Sequence, residues 1–370
     1  SSPDEIRRTV ENRCYLVRSE SRDRRRVQLH LARAEGILDA VVQASGVRIV
    51  TEDAETDPLD GENASESADS RGLGISERDP IFEDGFVALL REREGPTALP
   101  EDQPVQRDAP AGTATGEDET VIVADDVRRR FGDFEAVRGI SFRVERSEIF
   151  GLLGANGAGK TTTFRMLCGL LPPSDGAVRV LGLDMRHAAA AARARIGYMA
   201  QKFSLYADLS VRENLRFFSR AYGMKGPHRR DRLQWAFDEL GLGEYRDAPA
   251  KELPLGYKQR LALAVALMHE PEILFLDEPT SGVDPLARRE FWFRINSLAQ
   301  SGVTVLVTTH FMAEAEYCDR LVIMERGEFL AAGTPQELRE SAADEDHPAP
   351  TVEDAFVHLV EAHRNGAPDG

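Results

Sequence analysis

Lysine is scarce in this chain. Of 370 residues, 46 are Lys or Arg, yet only five are lysines: Lys160, Lys202, Lys225, Lys251 and Lys258. A lysine held at one spot is therefore informative, because arginine does most cationic work here. Cysteine is rare too. Cys14, Cys168 and Cys318 are far apart and lack metal-ligand spacing, which excludes a disulfide framework and a cysteine-held metal and fits a reducing compartment. No run of about 18 apolar residues occurs, so no transmembrane helix is expected. The longest candidate, Leu261 to Met268, runs into His269-Glu270-Pro271. A basic surplus is missing as well: the net charge is −17, and residues 51–120 hold 20 acidic against 5 basic side chains. A nucleic-acid footprint needs a basic face, so no nucleic-acid partner is expected. The run Arg128-Arg129-Arg130 reads as a solvated strand edge.

The length allows two or three domains. Residues 52–80 are rich in Glu, Asp, Ser and Gly and read as a flexible acidic excursion. Residues 93–119, with Pro96, Pro100, Pro104 and Pro110, read as a disordered acidic linker. An α/β pattern fills 120–340, and 341–370 is a tail with a short helix. The first 92 residues suggest a small α+β module: Tyr15-Leu16-Val17, a helix near Arg24 to Ala34, and alternating Val47-Arg48-Ile49-Val50. This module echoes the far end of the chain. Ser-Ser-Pro-Asp-Glu-Ile-Arg-Arg at 1–8 parallels Gly-Thr-Pro-Gln-Glu-Leu-Arg-Glu at 333–340, and Phe-Glu-Asp-Gly-Phe-Val-Ala-Leu-Leu at 82–90 parallels Val-Glu-Asp-Ala-Phe-Val-His-Leu-Val at 352–360. The pairs keep their order. Residues 1–92 are thus expected to be the tail of an earlier, truncated copy of the main domain.

Residues 154–162, Gly154-Ala155-Asn156-Gly157-Ala158-Gly159-Lys160-Thr161-Thr162, fit G-x-x-x-x-G-K-[ST]. The short apolar run Ile149 to Leu153 precedes them, and a helical pattern stopped by Pro172-Pro173 follows. In such a loop, backbone N–H groups and a helix N-terminus face phosphate oxygens. Lys160 is expected on the β/γ-phosphates and Thr161 on Mg²⁺. A second apolar run, Ile273 to Leu276, ends in Asp277-Glu278. Acidic residues at the C-terminal end of a buried strand sit where open α/β sheets place ligand chemistry. Asp277 is expected to hold Mg²⁺, and Glu278 to accept a proton from water, a contribution of roughly 10²–10⁴-fold.

With these motifs in order, residues 120–340 resemble the nucleotide-binding domain of ABC transporters. The resemblance implies a P-loop NTPase fold with a RecA-like core, an antiparallel β subdomain and a helical subdomain. It implies ATP and Mg²⁺ as ligands. It assigns Phe131 to adenine stacking, Gln201 to Mg²⁺ and the membrane subunit, Ser281 and Asp284 to a loop crossing a dimer interface, and His310 to the γ-phosphate. The segment Asp208 to Leu215 is similar to the helical region that grips the membrane partner. The signature segment departs from the family's Leu-Ser-Gly-Gly-Gln: it reads Leu253-Pro254-Leu255-Gly256-Tyr257. Pro254 suits the first turn of a helix but lacks a hydroxyl and an N–H. The composite site that this segment completes is expected to be weakened.

The tail Gly333-Thr334-Pro335 with Val352 to Phe356, and the signature with Met268-His269-Glu270-Pro271, are similar to the second cassette of tandem-cassette ABC-2 type multidrug efflux ATPases. That resemblance implies an ATP-hydrolysing subunit working through a separate ABC-2 type permease, paired with a missing N-terminal cassette, on the cytoplasmic face of the plasma membrane. The rival readings are a ribosome-associated tandem ABC ATPase and a regulatory module that binds nucleotide without hydrolysis. The signature and Ser281-Gly282-Val283-Asp284 argue against the first. Glu278 and His310 argue against the second.

Overall fold

The computed structural model describes residues 2–18, 24–43, 45–54, 56, 74–94, 119–343 and 350–366. Most of the acidic excursion (57–73) and of the linker (95–118) lies outside them. In chain order the elements begin with α1 (Pro3–Arg8), β1 (Cys14–Arg18), α2 (Arg24–Leu31), β2 (Ile37–Gln43), β3 (Gly46–Thr51), β4 (Gly74–Glu77) and α3 (Phe82–Glu94). Then come β5 (Thr120–Phe131), β6 (Phe134–Glu145), β7 (Ile149–Gly154), α4 (Lys160–Leu167), β8 (Asp175–Val180), β9 (Leu183–Asp184), α5 (Ala189–Arg193), β10 (Ile196–Met199), α6 (Val211–Ala221), α7 (Gly226–Glu239) and α8 (Leu255–Leu267). The chain closes with β11 (Ile273–Asp277), α9 (Pro285–Gln300), β12 (Thr304–Thr309), α10 (Met312–Ala315), β13 (Arg320–Glu325), β14 (Glu328–Gly333), α11 (Pro335–Ser341) and α12 (Val352–Gly366). Two compact units result. One is Ser1–Gln103 with Val283–Gln300, the other Pro104–Gly282 with Ser301–Gly370.

The first unit is built on an antiparallel sheet of order β2-β3-β1-β4. Val17, Leu31, Ala40, Val47 and Ile49 form its core. The edge strand β4 falls inside the stretch expected to be a flexible excursion. Its sequence Gly-Ile-Ser-Glu is short and polar, and pairing with β1 holds it. Helix α1 starts from a capping box between Ser2 and Glu5. It lies so close to α3 that a Cβ on Gly85 would collide with the Ile6 carbonyl oxygen. Helix α9 joins this unit through buried charge. Arg289 reaches Asp39 Oδ2 at 2.6 Å and Asp84 Oδ1 at 3.1 Å, and Arg48 Nε donates to Asp84 Oδ2 at 3.0 Å. Burial works to raise the Asp84 carboxyl, but the hydrogen bond and charge of Arg48, with Arg289, bring it below the usual aspartate range. Beside it, burial and the Asp84 charge push the Cys14 thiol up to about 12, which makes it an inert structural cysteine.

The second unit holds two sheets. One has order β10-β11-β12-β7-β13-β14, parallel except for the β13–β14 pair. The strands β7, β11 and β12 are buried along their whole length, as strands covered on both faces must be. The other sheet is antiparallel, of order β6-β5-β8-β9. A core with Ile122, Val144, Phe150, Phe164, Val180 and Phe275 joins the layers, and Phe164 of α4 meets Phe275 of β11 edge-on with centroids 5.4 Å apart. Arg128 is paired on both sides, with Arg138 of β6 and Asp175 of β8, whereas Arg129 and Arg130 pair with β6 alone. Their side chains are solvated near the end of β5, where Arg128 pairs with Asp126 and Arg130 with Glu135. Helix α11 opens on a capping box of Thr334 and Glu337 and packs against α12.

Candidate nucleotide-binding site

Register sets the site. Strands β10, β11, β12 and β7 are parallel neighbours, and Met199 pairs with Leu276, Asp277 with Thr308, and Leu153 with Thr309. Their C-terminal ends therefore meet along one edge. Gln201, Glu278, His310 and Lys160 follow those ends within a few residues, so residues far apart in sequence converge there, as at other open α/β sheets.

The loop from Gly154 to Thr162 turns tightly between β7 and α4. A Cβ on Gly154 would collide with the Met324 carbonyl oxygen. Gly159 has φ +104, and a Cβ there would meet the Ala136 carbonyl oxygen at 2.8 Å. Ala155, Asn156 and Gly157 are exposed, and Ala158 is buried. No side chain caps α4, so the first N–H groups of the helix, among them those of Thr161 and Thr162, are left for an external acceptor. Lys160 is 4% exposed; its Nζ donates to the carbonyls of Gly154 at 2.7 Å and Ala155 at 3.1 Å and lies 3.6 Å from Glu278 Oε1. Burial lowers its pKa, with Glu278 and Asp277 opposing.

Glu278 is the hub. Gln201 Nε2 donates to its Oε2 at 2.8 Å. His310 Nδ1 lies 3.0 Å from the same oxygen but is not aligned as a hydrogen bond. Glu278 also has φ +47, a left-handed conformation that costs a non-glycine residue about 1–3 kcal/mol and points to function. Its N–H is shared between the Thr308 carbonyl at 3.1 Å and Thr308 Oγ1 at 3.0 Å. Asp277 Oδ1 accepts from Thr161 at 3.2 Å and Thr308 at 2.7 Å. Burial raises its pKa, against those two hydrogen bonds. Thr308, which bonds both Asp277 Oδ1 and the Glu278 N–H, is a residue of the site that the motifs did not single out; the doublet Thr308-Thr309 before His310 was the available signal.

The other expected residues lie farther out. Phe131, 47% exposed, sits at the tip of the β5–β6 hairpin, with the Arg129 guanidinium 4.6 Å from its ring centroid. The same hairpin passes Gly159 at Ala136. Phe134, its cross-strand partner in the hairpin, is more exposed still. Leu253 precedes α8, Pro254 is its N-cap with φ −53 and ψ 152, and Leu255, Gly256 and Tyr257 form the first turn. Pro254 therefore stands one position earlier than the first-turn place expected for it. Tyr257 packs on Tyr245, ring centroids 4.3 Å apart. Ser281 N–H donates to the Glu278 carbonyl at 3.3 Å. Asp284 lies in the first unit and caps α9, its Oδ1 accepting from Ala287 N at 3.0 Å.

The family model described as "ABC transporter" matches residues 137–281. The chain is similar to a probable multidrug ABC transporter ATP-binding protein, YbhF, of Escherichia coli K12: 45% identical over 363 residues, 97% of this chain and 60% of that protein. It is similar to the Nod factor export ATP-binding protein I of Paraburkholderia xenovorans, 45% identical over 60% of this chain and 73% of that protein. A solved ATP-binding subunit of an ABC transporter superposes with TM-score 0.59 at 28% identity, over 65% of this chain and all of that one. The chain spans about 60% of the length of the multidrug relatives it matches.

Proposed function

Because the chain belongs to the ABC transporter ATP-binding family, a family of ATPases, we propose that it binds Mg-ATP at Lys160 and hydrolyses it to power export through a separate membrane permease. One observation carries this reading: a strained, buried Glu278 stands where Lys160, Gln201 and His310 meet, beside Asp277 and Thr161.

Hydrolysis of this kind is mostly positioning and charge stabilisation. Phosphate oxygens offer the Lys160 ammonium and the open amides of α4 a charged acceptor in place of neutral carbonyls. The donor set fits Mg²⁺: Asp277 and Thr161 supply oxygen, burial makes an uncompensated Asp277 charge costly, and Gln201 is close by. Among the described residues no group of three His, Cys, Asp or Glu could hold a metal alone, so phosphate and water must complete the shell, the usual arrangement for Mg²⁺. Held there, Mg²⁺ would neutralise phosphate charge. Glu278 takes the proton of the attacking water as its oxygen bonds the γ-phosphorus and the bond to ADP breaks. His310 faces that phosphoryl group, and Phe131 receives the adenine.

The second cassette is part of the proposal. Helices α1 and α11 both open on a Pro after a Ser or Thr cap with a reciprocal Glu, and both pack on a helix carrying Glu-Asp-Gly/Ala-Phe-Val. About 40% of the multidrug relative lies outside the match. These support residues 1–92 as the tail of a first cassette, 93–119 as a linker and 120–340 as the second cassette, with Ser281 and Asp284 at their interface. Leu253 to Tyr257 would then face the first cassette's nucleotide. Pro254 brings neither hydroxyl nor N–H there, a loss of roughly 1.5–3 kcal/mol per charged hydrogen bond. The permease is proposed as ABC-2 type, at the cytoplasmic face of the plasma membrane. Among the described residues no helix is long and apolar enough to cross a membrane.

Lys160→Ala is expected to abolish Mg-ATP binding measured by calorimetry, and affinity purification from membranes is expected to retain a permease. Unchanged ATP affinity, or ribosomes in place of a permease, would overturn the reading.

A further inference from the structure

The two loops that carry Glu278 and His310 share a buried carboxylate that belongs to neither. Glu314, on α10, is 1% exposed. Its two oxygens are divided between the loops. Thr280 Oγ1, two residues after Glu278, donates to Oε1, and Thr309 Oγ1, one residue before His310, donates to Oε2 at 2.6 Å. Both threonines are 1% exposed. The Phe311 N–H donates back to Thr309 Oγ1 at 2.9 Å, so the backbone on either side of His310 is tied to one hydroxyl. On the other strand end, Glu278 is tied through its N–H to Thr308. A carboxylate is expensive to bury unless hydrogen bonds satisfy it, and a charged acceptor orders its hydroxyl donors more strongly than a neutral one.

We propose that Glu314 is a positioning residue for hydrolysis. By bridging Thr280 and Thr309 it fixes the loop after β11 against the loop after β12, and so sets the 3.0 Å approach of His310 Nδ1 to Glu278 Oε2. It acts through the other two residues, and the proposal rests on the ATPase reading above. Site geometry tolerates little error: side chains acting together in catalysis lose activity when displaced by about 1 Å.

Three variants of the full chain test this. Glu314→Gln keeps the shape but offers an amide N–H₂ in place of one acceptor oxygen, while Thr280→Val and Thr309→Val each remove one arm. Each is expected to lower kcat by at least about 10-fold while ATP affinity stays within about two-fold, a split that general destabilisation does not give. In the Glu278→Gln background, Glu314→Gln is expected to cost less than about two-fold more, because both act through one group. A second measurement needs no turnover: the His310 imidazole resonances are expected to shift in Glu314→Gln and in Thr280→Val. Wild-type kcat in Glu314→Gln with unmoved His310 resonances would overturn the proposal, and so would equal losses of kcat and ATP affinity. The ATPase reading fails separately, if the unsubstituted chain and Glu278→Gln turn over alike; the His310 resonances then decide the positioning claim alone.

Discussion

Asp277 is the residue where chemistry and stability pull in opposite directions. Its pKa is raised, chiefly by burial. A carboxyl raised in the folded state favours folding below the usual aspartate value of 3.8 and loses that benefit as pH rises through its folded pKa. At neutral pH the ionised group therefore costs stability, and a cation should recover it. Asp277→Asn keeps an acceptor for Thr161 and Thr308 and removes the charge. It is expected to raise Tm at pH 7 in metal-free buffer, by a margin that shrinks toward pH 4, and to abolish any further rise with Mg-ATP. Differential scanning fluorimetry across pH, with and without Mg-ATP, checks both parts; a lower Tm at pH 7 would contradict the burial argument. At this scale the sequence was most readable where one residue type has one job. Lys160 stood out because lysines are few and the glycines around it are fixed by close approach. Glu314 was not readable. Its partner Thr280 is 34 residues away, and only the parallel register of β11 and β12 brings them together.

Elements show the same division. Strands β7 and β11 were legible as short apolar runs because both faces are covered. Strand β2 was missed, since Asp39 interrupts its apolar residues and is tolerated only beside Arg289 and Arg91. Strand β4 carries no strand signal of its own, and pairing with β1 decides it. The grouping of α9 with the first unit was invisible too, because it rests on buried Arg and Asp contacts between residues some 200 or more apart in the chain. Helix α6 was expected as part of a partner-gripping region. It begins at a Ser210 capping box and leaves Phe217 44% exposed, edge-on to an exposed Tyr206 at 4.7 Å. Exposed aromatic clusters mark interaction surfaces. Phe217→Ala with Tyr206→Ala is expected to reduce permease co-purification by at least about 10-fold and leave ATP affinity unchanged. Undiminished co-purification would place the partner surface elsewhere.

At the scale of the whole molecule, the second unit is a sheet edge where four strand ends deliver Lys160, Gln201, Glu278 and His310 to one place, and the rest of the unit keeps that edge in register. In the proposed cassette pair, Pro254 would leave the two composite sites unequal. Whether the Glu278 hub hydrolyses ATP is read from the Mg-dependent ATPase rate of Glu278→Gln against the unsubstituted chain, at protein concentrations high enough for association, with ATP affinity measured on the same samples. Turnover is expected to fall at least about 10²-fold while affinity stays within about two-fold. Equal turnover in the two proteins would contradict hydrolysis at this hub.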